Sequence, residues 1–372
     1  MKFLFASDSF KGSLTSEETS ALLARAARVV FPGVKCESVV VADGGEGTAG
    51  AIVAATRGVF QEVDSCDPLM TPILARYGVC PDGRVVIEAA ANSGLTLLAP
   101  ERRDPLETTT FGTGELIRDA LERGRREIAL AIGGTATNDG GMGCARALGA
   151  RFLDAQGREL QGRGRDLERV AHIDLSELDR RLDDARLTVM SDVTNPLCGE
   201  KGASPEVVER LERGMINYRD VIRRVFRVDP DAIPGAGAAG GLGTCASVFL
   251  GAKMQSGIDA VLDWIDFDAR LRNVDLVVTG EGQTDRQSRY GKVVQGVARR
   301  AQRAGVPVIA LSGALGSGAE TLFDDGLDAL ATTVDAPMSL ETAMQRAEEL
   351  YYFGAERMFR LVRVGMTLAR KS

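Results

Sequence analysis

Residues 127–141 read Glu127-Ile128-Ala129-Leu130-Ala131-Ile132-Gly133-Gly134-Thr135-Ala136-Thr137-Asn138-Asp139-Gly140-Gly141. An apolar run of strand length meets a loop of small residues, and Met142 to Leu148 then reads as a helix. Strand, glycine-rich turn and helix in that order make the unit of a parallel sheet covered by helices. The loop offers backbone N–H groups, two hydroxyls, an amide and one carboxylate. Glycines let such donors approach phosphate oxygens closely, and the start of the helix adds positive partial charge. The stretch predicts an α/β fold with a phosphate-handling loop.

The same alternation extends in both directions. Strands are expected at 2–6 and 38–41, with a helix from about Ser16, capped by Thr15 or Ser16, to Val30, where Pro32-Gly33 stops it. An Ala-rich helix follows at 47–55. Short strands at 59–63, 73–79 and 85–87, joined by Pro and Gly turns, mark a change to a mixed sheet. Helix 114–123, strand 187–190 and a long amphipathic helix 205–225 come next. The last third returns to α/β order, with strands at 274–279, 306–311 and 327–331, a helix at 292–304, and a helical end over 339–368. The two ends share one style and the middle another. The reading is a discontinuous flavodoxin- or Rossmann-like parallel-sheet domain (1–65 and 265–372) carrying an inserted mixed α/β domain (66–264), with a cleft between them.

Composition narrows the chemistry. The chain has 372 residues, 44% hydrophobic and 26% charged, as in ordinary globular proteins. A net charge of −7 argues against nucleic-acid or membrane-surface binding. The six cysteines match no zinc spacing, so reduced thiols are expected, and the single His172 excludes a His-rich centre within one chain. No run approaches a signal peptide or a membrane span, which points to the cytoplasm.

Acids recur where apolar strands end, the edge at which open α/β sheets bind ligands. Asp8-Ser9-Phe10-Lys11-Gly12-Ser13 pairs an acid with a base. Asp192, after the strand ending at Met190, is a candidate general base or metal ligand. Glu281, Asp285 and Lys292 surround a third strand end and suit Mg²⁺ and phosphate. Asp43-Gly44-Gly45-Glu46-Gly47-Thr48-Ala49 and the segment 139–145 share the pattern D-G-G-x-G-x-A, so Asp139 caps a helix or binds a metal. Gly235, Gly237 and Gly240 formally make GxGxxG, but no buried strand precedes them, as a dinucleotide fold would require. Walker A is absent. Phosphoryl transfer needs Mg²⁺ held by carboxylates, donors around the phosphates and a base near the hydroxyl, and these loops supply such groups.

These motifs resemble the bacterial type-1 glycerate kinases along nearly the whole chain. The resemblance rests on 8–13, 42–48, Glu88-Ala89-Ala90-Ala91-Asn92-Ser93-Gly94-Leu95, 113–117, 133–141, 192–197, 234–243 and 279–282. It implies ATP- and Mg²⁺-dependent phosphorylation of D-glycerate, commonly to 2-phosphoglycerate. It also implies a flavodoxin-like domain and a second domain resembling the restriction-endonuclease fold. Expected catalytic residues are Asp192, Lys11 and Asp8, with Asn92, Ser93 and Asn195 binding substrate. Gly133, Gly134, Thr135, Thr137, Asn138, Gly235, Gly237, Gly240, Gly241 and Lys292 are expected at nucleotide phosphates, and Asp139, Glu281 and Asp285 at metal. A homodimer is compatible. The chain departs from the family pattern at a shortened segment between Glu200 and Lys201, at Thr135 (usually Ser), Gln283 (usually Arg) and Tyr290 (often His). A nicotinamide-dependent hydroxy-acid dehydrogenase and a non-catalytic glycerate-binding homologue are the competing readings.

Overall fold

The computed structural model describes residues 1–10, 12–192, 195, 197–198, 205–289 and 292–369. Lys11, Tyr290 and the junction between Glu200 and Lys201 therefore lie outside the described residues. The chain forms two compact units, Met1–Asp43 with Ile258–Ser372, and Gly44–Gly257. The architecture is α/β, with one all-parallel and one mixed principal sheet.

The terminal unit is built on five parallel strands: Lys2–Ser7, Lys35–Ser38, Leu276–Gly280, Val308–Ser312 and Ala329–Thr332. Strand Lys2–Ser7 lies between Lys35–Ser38 on one side and Leu276–Gly280 on the other, and the remaining two continue outward from Leu276–Gly280. Numbered within this unit, the spatial order is second, first, third, fourth, fifth. The chain thus reverses its direction of progress between Lys2–Ser7 and Leu276–Gly280, a topological switch point. Leu276–Gly280 is buried throughout, as a central parallel strand covered on both faces must be. Helix Ser16–Val30 opens with a capping box between Thr15 and Glu18. It packs with helix Ala347–Ala369, whose Phe359 meets Phe3 and Phe5 of the first strand. The strand expected at 38–41 is displaced to Lys35–Ser38. This is an edge strand, paired on one side only, so it needs less apolar surface than the Val39–Val41 run suggested.

The middle unit has a six-stranded mixed sheet. Val59–Cys66, Pro72–Val79 and Val85–Glu88 form an antiparallel meander. From Val85–Glu88 the sheet continues through Glu127–Ala131, Arg186–Met190 and Lys253–Gln255, each parallel to its neighbour. Residues 44–65, grouped by sequence style with the terminal sheet, pack here, because Val59–Cys66 pairs along its whole length with Pro72–Val79. The core is filled from Tyr77, Ile87, Leu130, Phe152 and Tyr218, all fully buried. Among the described residues, no helix is long and apolar enough to cross a membrane.

Candidate active site

In the middle unit, the four mutually parallel strands send their carboxyl ends to one edge, and the motifs lie along it. Val85–Glu88 runs into Asn92 and Ser93, Glu127–Ala131 into the 133–141 loop, Arg186–Met190 into Asp192, and Lys253–Gln255 into Ser256 and Gly257. Glycines let these segments touch. A Cβ on Gly44 would lie 2.8 Å from Gly257 Cα, and one on Gly133 would lie 2.9 Å from Gly45 Cα. Asp192 is half-buried, and its Oδ1 accepts from Gly257 N at 2.8 Å and Ser256 Oγ at 3.2 Å. The carboxylate is thereby oriented at the end of a central strand. The backbone carbonyl of Asn195, an exposed residue, accepts from Gly237 N at 3.1 Å.

Asp139 has a different environment from the one expected of a metal ligand. It is fully buried, and burial pushes its carboxyl above the usual range. Oδ2 accepts from Thr110 N (2.7 Å), Thr110 Oγ1 (2.8 Å), Gly143 N (3.1 Å) and Thr109 Oγ1 (3.3 Å), and Oδ1 accepts from Gly141 N (3.0 Å). Five protein donors surround it. The amides at the start of helix Met142–Ala147, anticipated as a phosphate site, are therefore spent within the protein: Gly141 N and Gly143 N donate to the Asp139 carboxylate, Met142 N to the Asp139 carbonyl and Cys144 N to Thr110 Oγ1. Asp139 anchors the loop to the 109–110 segment, which corrects both expectations.

The 235–241 segment is likewise turned toward protein. Gly140 N donates to Gly240 O at 2.9 Å. A Cβ on Gly240, whose φ is +61°, would lie 1.9 Å from Thr137 O, and one on Gly241 would lie 2.7 Å from Gly140 Cα. These two glycines permit loop-on-loop packing. A short 3₁₀ turn, Pro230–Ala232, precedes the segment in place of a strand, so the dinucleotide fingerprint lacks its structural context. Asn92 and Ser93 are also buried. Asn92 Nδ2 donates to Ser65 Oγ at 2.6 Å, and the Ser93 and Thr113 hydroxyls share a hydrogen bond of 2.8 Å. Ala136 N donates to Ser93 O at 2.7 Å, tying this turn to the 133–141 loop. Their side chains bind protein, while their backbone positions the loop. Thr137 is buried as well, Asn138 is half-buried, and Gly134 is exposed.

Sequence reasoning left out Glu88. It ends strand Val85–Glu88, accepts from Ala49 N at 2.6 Å, and burial holds its carboxyl above the usual range. An acid directly after an apolar run was the available signal, the same one that singled out Asp8 and Asp192.

The terminal unit contains a cavity of about 920 Å³ at the carboxyl ends of its strands. Asp8, following Lys2–Ser7, and Glu281, following Leu276–Gly280, line it at the switch point. Asp8 Oδ1 accepts from Ser9 N at 2.7 Å. Glu281 is buried, which pushes its carboxyl up, although the Thr284 hydroxyl donates to Oε1 at 3.0 Å and the Lys292 charge opposes the shift. Lys292 also lines the cavity, at the cap position of helix Val293–Arg303. Asp285 lies apart from this lining, with its N–H donating to Ser288 Oγ at 3.1 Å. Among the described residues, no three acidic, Cys or His side chains gather into a metal cage.

A profile of the glycerate kinase family matches residues 3–363. The glycerate 2-kinase of Escherichia coli K12 is 42% identical over 93% of this chain and 94% of its own length. The glycerate kinase of Halalkalibacterium halodurans is 41% identical over the same shares. Among solved structures, a Salmonella typhimurium LT2 protein described as glycerate kinase 2 superposes with a TM-score of 0.86 at 41% identity, covering 99% of each chain.

Proposed function

The chain belongs to the glycerate kinase family and is an enzyme of that kind, and from this premise we propose that it transfers the terminal phosphoryl group of ATP to D-glycerate, with Mg²⁺, to give 2-phosphoglycerate. The observation that carries the reading is Asp192, a carboxylate fixed by Gly257 N at the end of a central parallel strand. Phosphoryl transfer asks for positioning, electrostatic stabilisation and a group near the attacking hydroxyl. Asp192 takes the hydroxyl proton of glycerate, and the exposed or half-buried part of the loop, at Gly133, Gly134, Thr135 and Asn138, receives phosphate oxygens. In the terminal unit, Asp8 faces the phosphates through their metal ion, and Lys292 offsets phosphate charge.

The donor set suits Mg²⁺. Asp8 and Glu281, which line one cavity, are hard oxygen ligands, and Mg²⁺ needs only one or two carboxylates beside phosphate and water oxygens. When bound, it neutralises charge on the phosphates. The terminal sheet has the strand order of flavodoxin-like folds, and we assign the middle unit to a restriction-endonuclease-like fold.

A coupled assay for ADP release with D-glycerate and Mg²⁺ tests the activity, and product analysis tests the position phosphorylated. Asp192→Asn lowers kcat by about 10²–10⁴-fold if the residue is the base. A near-normal rate rejects that role, and ADP release no faster than background with any hydroxy-acid rejects the kinase.

A further inference from the structure

The cavity of the terminal unit is chemically divided. Its strand-end side carries Asp8, Asp43, Glu281 and Lys292. The turn after strand Ala329–Thr332 and the helices that follow add Thr333 and Asp335 together with the apolar Val334, Pro337, Met338, Leu340, Ala343 and Met344. Phe10 and Tyr351 also line it, their rings meeting edge-on with centroids 5.1 Å apart.

Glycerate is a poor occupant for this space. A three-carbon acid fills a small fraction of 920 Å³, and its hydroxyls would find no partners among Val334, Pro337, Met338, Leu340, Ala343 and Met344. Among the described residues, its carboxylate would also meet four acids, Asp8, Asp43, Glu281 and Asp335, against one lysine. A nucleotide matches on each count. The volume falls in the range of about 300–1,000 Å³ typical of sites for larger ligands. Two methionines and a proline make the adaptable apolar surface on which a flat aromatic base packs. The acidic end suits phosphates only when they arrive with a divalent cation.

We infer that this cavity is the nucleotide site of the terminal unit, taking the adenosine of ATP against the 334–344 wall and its Mg²⁺-bearing phosphates at the Asp8–Glu281–Lys292 end. The inference rests on the kinase reading for the identity of the nucleotide. It makes Ala343 and Met344 determinants of nucleotide affinity, with no role in holding the acid substrate.

Two measurements test it. Binding of an N-methylanthraniloyl-ADP probe is followed by fluorescence for the wild-type chain and for Ala343→Trp, which fills the apolar half. The variant weakens probe binding and raises the KM for ATP by about tenfold or more, and leaves the KM for D-glycerate within about twofold. EDTA weakens probe binding to the wild type. A rise confined to the KM for glycerate, or unchanged ATP parameters in a variant with wild-type circular dichroism, overturns the inference. Photolabelling of the wild-type chain with 8-azido-ADP, which needs no variant, places label in peptides covering 332–347. Turnover of glycerate with label only elsewhere overturns the cavity assignment and leaves the kinase standing. Label at 332–347 without turnover of any hydroxy-acid overturns the kinase reading and leaves the nucleotide site standing.

Discussion

Asp139→Asn keeps the shape of the loop anchor and removes its charge. The amide oxygen can replace Oδ2, which accepts from Thr109, Gly143 and both groups of Thr110. The amide nitrogen then points at Gly141 N, whose acceptor was Oδ1 at 3.0 Å. One buried N–H is left unpaired, which costs about 1–3 kcal/mol, and the bonds that remain lose their charge assistance. Relief from burying an ionised carboxylate offsets part of this, since burial already disfavours the charged form. The net loss is about 2–3 kcal/mol. In a unit the size of Gly44–Gly257, that lowers the Tm by about 5–10 °C. A thermal melt by circular dichroism measures it, and hydrogen exchange in peptides covering 108–113 and 140–144 locates it. A melt within about 1 °C of wild type, together with a weakened Mg²⁺ requirement in the kinase assay, would refute the anchor and restore Asp139 as a metal ligand.

Other variants probe the remaining assignments. Gly240→Ala sets a Cβ against Thr137 O at a positive φ, and is expected to cost about 2–5 kcal/mol by urea unfolding, from overpacking and left-handed strain together. Gly33→Ala, at φ +84° with open space around it, bears the strain alone and costs about 1–2 kcal/mol; equal losses for the two would refute the packing argument. Glu37 is partly buried, which alone would raise its pKa, but the hydrogen bonds and charges of Lys2 and Arg270 outweigh this and hold it below the usual range. Its contribution is therefore present above the unfolded value and lost as pH falls through the folded one. Glu37→Gln lowers stability by about 0.5–1 kcal/mol at pH 7, and the difference closes as urea midpoints are followed down below pH 4. Glu281 carries the opposite sign: its folded pKa is raised by burial, so stability falls as pH rises through the interval between its unfolded and folded values. Glu281→Gln accordingly melts higher than wild type at pH 8, with the gap shrinking toward pH 4, while binding Mg²⁺-nucleotide more weakly. A gap that widens on acidification would contradict the burial argument.

Most of the two sheets was legible because their strands are apolar runs of strand length bounded by glycine. Leu276–Gly280 and Glu127–Ala131 are examples, fully or almost fully buried. Legibility failed where burial is one-sided. Edge strand Lys35–Ser38 alternates charged and small residues and carries no apolar signature, so the neighbouring Val39–Val41 run drew the assignment instead. A change of style along the chain was legible, but where the middle unit begins and ends was not. Helix Thr48–Thr56 looks like any α/β helix, and only the pairing of Val59–Cys66 with Pro72–Val79 shows which sheet it covers.

The site shows a second kind of limit. Asp139, Asp192 and Glu281 carry the same local signal, an acid in a small-residue segment after an apolar strand. What separates them is the number of donors that distant segments bring. Thr109 and Thr110, some thirty residues upstream of Asp139, saturate it. Asp192 receives an orienting contact from Gly257, sixty-five residues downstream. Glu281 is buried with a local hydroxyl and a lysine charge, beside a cavity whose far wall comes from 334–344. The chemistry an acid can perform is set by the hydrogen bonds it has already made, and those depend on sheet order. Sheet order is fixed by pairings such as Ala131 beside Met190 and Ser7 beside Gly280, which no local spacing encodes. A strand-end acid in such a chain therefore gives an address at the binding edge, and its role follows once the parallel order of the strands decides which loops lie beside it.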